Sequence, residues 1–125
     1  MKGTEIISSA RIATFDDKIG QETWKDDKYL KALNQARSYL FTNYPESRLN
    51  SAGVLQTFSD IAQKDLSDTM WESDIYFIFL AEYICYIFFG GSAGDTQNSR
   101  QASEHYTTAM RALDPRYRTA SNLGR

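Results

Sequence analysis

At 125 residues, with 42% apolar and 24% charged side chains, the chain has the size and balance of one folded domain that buries a core without disulfide or metal staples. Its one cysteine, Cys85, cannot form an internal disulfide, which fits a reducing compartment. The 14 basic and 16 acidic residues leave a net charge of -2, which argues against a nucleic-acid coat or a basic membrane binder.

The opening MKGTEIISSARIATFDDK has early acids and no apolar core of signal-peptide length, so secretion is not expected. In residues 1–25 the apolar Ile6, Ile7, Ile12, Phe15 and Trp24 hold no helical spacing for two turns, and the segment reads as an extended arm or short strand with a turn near Gly20. A helix capped by Asp26 or Asp27 follows. KDDKYLKALNQARSYLFTNYP places Tyr29, Leu30, Leu33, Ala36, Leu40, Phe41 and Tyr44 on one stripe at steps of three and four, and Pro45 ends it.

ESRLNSAGV is a loop by composition. A second helix is expected from Val54, Leu55, Phe58, Ile61, Ala62 and Leu66, again at helical spacing. The run IYFIFLAEYICYIFF, Ile75 to Phe89, is apolar except for Glu82. Its length favours a helix over a strand, with Ser73 or Asp74 as cap and Gly90-Gly91 as stop. A membrane span would need roughly 18 apolar residues and would not carry a carboxylate at its middle, so a central bundle helix is expected and no membrane partner.

After the loop GGSAGDTQN, the last helix SRQASEHYTTAMRAL buries Ala102, His105 or Tyr106, Ala109, Met110 and Leu113, and Asp114-Pro115 closes it. RYRTASNLGR has three arginines and no acid, and only Tyr117 and Leu123 are sizeable apolar groups. The expected organisation is an all-α, four-helix-type bundle over residues 26–115, an extended N-terminal segment over 1–25 and a C-terminal arm over 116–125.

Catalytic chemistry has little to work with. One His and one Cys give no zinc spacing, and Cys85 lies in the most apolar segment, where a thiol is an inert hydrophobe. His105 and its neighbour Glu104 do not face each other on a helix, so they make no dyad. Glu82 needs an arginine or tyrosine within the bundle, or a place on the helix's one polar stripe, and suits a structural or subunit-contact pairing. The Gly90 to Gly94 loop lacks phosphate-cradle spacing. Neither an enzyme nor a cofactor is expected.

Charge is unevenly placed. Asp60, Asp65, Asp68, Glu72, Asp74 and Glu82 stand against Lys64, whereas Arg100, Arg111, Arg116, Arg118 and Arg125 face only Glu104 and Asp114. Asp60, Asp65 and Asp68 of one subunit against Arg100 and Arg111 of the next would make a head-to-tail interface. In the arm, Tyr117 and Leu123 are anchors, Arg116, Arg118 and Arg125 charge-assisted donors, and Asn122 lies between them.

The helix ALNQARSYLFTNYP, the aromatic run ending in Gly-Gly, the AxxHYxxAMRAL helix and the arginine-bearing end together resemble, over most of residues 24–125, the head–tail connector (adaptor or head-completion) proteins of tailed bacteriophages. The resemblance implies a structural virion protein of the neck, made in the host cytoplasm. It would form a ring, commonly twelve-fold, beneath the portal, insert its C-terminal arm into the portal protein and meet a tail or nozzle protein on its other side. DNA would only pass through the channel. ASEHYTTAMRALDPRY also resembles the second helix of a tetratricopeptide repeat, but no 34-residue period precedes it. The alternative function is a monomeric helical, repeat-like interaction or regulatory module that binds a peptide or single-stranded nucleic acid through its aromatics.

Overall fold

The most apolar stretch of the chain becomes the helix around which the others pack. In the computed structural model, which describes residues 1–16, 24–90 and 96–114, Ser73 caps a 3-10 turn, Asp74–Tyr76, its Oγ accepting from the Ile75 N–H. The turn runs straight into a helix over Phe77–Gly90. Numbered in chain order, the four helices are α1 (Gly3–Ala13), α2 (Asp26–Asn43), α3 (Phe77–Gly90) and α4 (Thr96–Ala112). α3 touches each of the other three and buries Phe79, Leu80, Ala81, Ile84 and Cys85 among them. The molecule is all-α, four helices packed together, with no strand among the described residues.

α2 follows its sequence pattern. Tyr29, Ala32, Leu33, Ala36 and Leu40 are buried, and Leu30, Phe41 and Tyr44 are half-buried at the margin. Neither Asp26 nor Asp27 is the cap expected of them: Lys25 stands at the N-cap without a side-chain cap bond, and the two acids lie in the first turn, where the positive end of the helix dipole favours them. Tyr44 is extended (φ -129°, ψ 90°) before Pro45, which opens a 3-10 turn over Pro45–Arg48. In α4 the buried side chains are Ala102 and Ala109, with His105 and Met110 half-buried, and Leu113 is buried just past its end.

Two elements differ from expectation. Residues 3–13 form a helix, not an extended arm or strand. Its buried stripe is Gly3, Ile6, Ile7 and Ala10, spaced by three and four but half built of small residues, while the conspicuous Ile12 and Phe15 point outward. Glu5 in the first turn accepts from the backbone N–H of Lys2 at 2.9 Å, satisfying a donor at the helix start.

Conversely, the helix expected over Val54 to Leu66 is absent. The chain there is irregular, apart from a 3-10 turn at Gln63–Asp65, and leaves Val54 and Leu55 exposed. Its backbone finds partners on α2 instead of four residues back. The Asn34 amide donates to Ile61 O at 3.1 Å and accepts from Ile61 N–H at 2.9 Å, and Arg37 Nη1 donates to Ser59 O at 2.9 Å. Before this ledge the chain turns back on itself at residues 48–56. Gln56 N–H donates to Arg48 O, Gly53 N–H to Asn50 O, and Gly53 takes φ 80°, open to a residue without Cβ.

Candidate functional site

The acidic interface predicted from charge is a surface on the irregular ledge. Asp60, Asp65 and Asp68 are exposed and make no ion pair among the described residues. Two other acids of that stretch are paired within the chain. Glu72 is buried against Arg37, whose Nε donates to it at 2.5 Å, and Asp74 accepts from the Met1 amine at 2.7 Å. Arg37 is itself buried and also holds Asn34 Oδ1 and Ser59 O, with the Phe58 ring 5.1 Å from its guanidinium. A buried guanidinium fully occupied in this way fastens the ledge to α2.

Arg100 and Arg111 are both exposed on α4. Eleven residues apart, they share one face, roughly 16 Å from each other along the axis. Exposed Glu104 stands on the same face, so this stripe is of mixed sign and less basic than the count of arginines suggests. Ledge and stripe lie on different sides. Asn34, Arg37 and Phe41, which hold the ledge, occupy the face of α2 opposite Tyr39, and Tyr39 meets Met110 of α4. The predicted partner-binding residues Arg116, Tyr117, Arg118, Asn122, Leu123 and Arg125 lie outside the described residues.

Sequence reasoning missed the partner of Glu82. His105 Nδ1 hydrogen-bonds to its carboxylate from α4, across the α3–α4 contact, and the imidazole stacks on Phe89 with centroids 5.4 Å apart. The pair joins helices of one chain, the structural pairing expected for Glu82, but its partner is a histidine where an arginine or tyrosine was expected. Beside it runs a row of half-exposed tyrosines: Tyr39, Tyr83, Tyr86 and Tyr106, with neighbouring Tyr rings 5.0 to 5.4 Å apart. Burial, with a hydrogen bond to Tyr106, pushes the Tyr39 phenol up to about 12, and burial also raises Tyr83. Both stay neutral hydroxyls at ordinary pH.

Cys85 is where the sequence put it, buried in α3, and burial pushes its thiol up to about 12, far from nucleophilic. Among the described residues no group of three His, Cys, Asp or Glu side chains is placed to hold a metal ion, and no helix is long and apolar enough to cross a membrane.

A cleft of about 530 Å³ opens between the 48–56 turn and the start of α3, lined by Leu49, Gly53, Ile75 and Tyr76 together with the polar Glu46, Asn50, Ser51 and Ser73. Leu55, paired with Leu49, and Ile78, one turn past Ile75, add exposed apolar surface nearby. Comparison with known protein families, with curated proteins and with solved structures found no match.

Proposed function

We propose that this chain is a structural assembly protein, a head-to-tail adaptor that forms a ring beneath a portal and links it to a tail. The observation that carries this reading is the placement of charge. An acidic ledge fastened to one face of α2 and the exposed Arg100 on α4, which packs beyond the opposite face, stand on different sides of one molecule and can meet between copies. The resemblance of the sequence pattern to connector proteins suggests the class of assembly. In this reading the arm from Arg116 to Arg125 docks on the portal, and the ledge and α4 join neighbouring subunits.

Co-expression with the portal protein of the same genome tests it. The full chain should co-purify as a ring on the portal, visible by electron microscopy, and a chain ending at Pro115 should keep its circular dichroism and melting temperature while losing the portal. Failure of the full chain to bind would overturn the adaptor reading. The tyrosine row favours the second reading, since half-exposed rings also stack bases or grip a peptide. Quenching of tyrosine fluorescence by a short single-stranded oligonucleotide, without any portal binding, would favour that alternative.

A further inference from the structure

Four of the chain's eight tyrosines meet in one cluster: Tyr39 from α2, Tyr83 and Tyr86 from α3 and Tyr106 from α4. Tyr83 and Tyr86 share a side of α3 because they are three residues apart, and Tyr106 joins them from the helix packed alongside. Tyr29 and Tyr76, by contrast, are buried in the core. Tyr86 and Tyr106 face each other across the α3–α4 contact, ring centroids 5.0 Å apart and planes inclined at 59°, so that the ring edges touch.

This pair is held in place and open to solvent at once. One residue before Tyr106, His105 bonds to Glu82 and stacks on Phe89, which fixes the rotation of α4 on α3 and keeps Tyr106 opposite Tyr86. Tyr106 is 38% exposed and Tyr86 is half-exposed, so both rings have room to turn about their side-chain bonds and solvent can take a proton from them. Tyr39 and Tyr83 are less suited, since burial raises both phenols and withholds the water that would accept that proton.

We propose that Tyr86 and Tyr106 are an oxidative cross-linking site, at which a peroxide-fed one-electron oxidant joins α3 to α4 through a carbon–carbon bond. Each phenol gives up one electron and its hydroxyl proton, and the two radicals couple between ring carbons next to the hydroxyl-bearing carbons. The hydrogen displaced from each of those carbons returns to the phenol oxygen, so both rings end as phenols and the protein has lost two hydrogen atoms. Hydrogen peroxide, acting through a haem peroxidase, takes up the two electrons and two protons and ends as two molecules of water. The bond would fasten α4, which packs chiefly on α3, to that one neighbour. The site needs neither a portal nor a second copy, so it stands or falls apart from the adaptor reading.

Hydrogen peroxide and a haem peroxidase added to the dilute full-length chain test it. The intact mass should fall by two hydrogen atoms with no change in subunit number by sedimentation. Proteolytic mapping should join the peptide holding Tyr86 to the one holding Tyr106. The linked protein should melt at a higher temperature, since the bond closes a loop of the unfolded chain. Tyr86→Phe and Tyr106→Phe keep the ring and remove the hydroxyl, so each should preserve the circular dichroism and cut the yield of that link by about tenfold or more, as should prior unfolding in urea. A wild type that forms no link overturns the proposal, as does a link mapped to another pair or a yield unchanged by either substitution. Links formed only between chains, with a yield that rises with concentration, overturn it too. So does oxygen added to Met110, whose Sδ lies 3.9 Å from Tyr39 Oη, in place of the link.

Discussion

At Gly3 the backbone of α1 lies against the ledge, and a Cβ built there would come within 2.7 Å of Leu66 Cδ2 and 3.3 Å of Leu33 Cδ2. Both leucines are buried, and the Leu66 carbonyl, 3.2 Å from the same point, accepts from Thr4 N–H, so neither side yields freely. Gly3→Ala should therefore destabilise the fold by ~1–3 kcal/mol in urea unfolding despite alanine's better helix propensity. Buried titratable groups give a second residue-scale expectation. Burial lifts Cys85 from 9.0 and Tyr29 from 10.0, each to about 12. The folded chain keeps these protons where the unfolded chain has lost them, so stability is whole below about pH 9 and falls as pH rises towards 12. The slope approaches roughly 1.4 kcal/mol per pH unit for each group. Urea midpoints measured across that range should decline steadily, and Cys85 should resist alkylation at about pH 8 until the protein is unfolded.

Among elements, the ledge depends on α2 for its shape. The buried Arg37–Glu72 pair spends its hydrogen bonds on the ledge backbone and on Asn34, so removing one partner leaves a buried charge uncompensated. Glu72→Gln should cost ~3 kcal/mol or more, and the double change Arg37→Met with Glu72→Met should recover a substantial part of it. Denaturant unfolding of the two variants beside the wild type checks the sign of that coupling. The same substitution should raise hydrogen exchange at Ile61 N–H, whose acceptor is Asn34, while α3, enclosed by three helices, remains the slowest to exchange.

For the whole molecule, what matters is which charges remain for a partner. Glu72, Asp74 and Glu82 are each satisfied internally, which leaves Asp60, Asp65 and Asp68 as the acids of that stretch that face solvent without an ion pair among the described residues. Reversing Asp65 and Asp68 to lysine should shift stability by no more than ~0.5 kcal/mol, as exposed changes do, yet weaken association between copies. Raising salt from ~0.01 M to ~1 M shortens the screening length from ~30 Å to ~3 Å, so light scattering should show the wild type dissociating and the reversed variant changing less.

Local pattern determined α2 and α3 because each carries its own signal: a stripe of large apolar residues ended by proline in one, an apolar run too long for a strand in the other. The capping of Ser73 and the exit before Pro115 were legible for the same reason, since turns depend on neighbours in sequence. α1 was hidden because half of its buried stripe is Gly3 and Ala10, which become core positions only once Leu66 and Leu33 close over them. The stretch from Val54 to Leu66 has helical spacing, but Asn34 and Arg37, more than twenty residues earlier, hold its backbone in another form. The same distance in sequence concealed the Glu82–His105 pair. Hydrophobic period decides which segments bury a face, whereas hydrogen bonds between distant residues decide whether a segment coils, which charges stay free and where the exposed apolar surfaces lie.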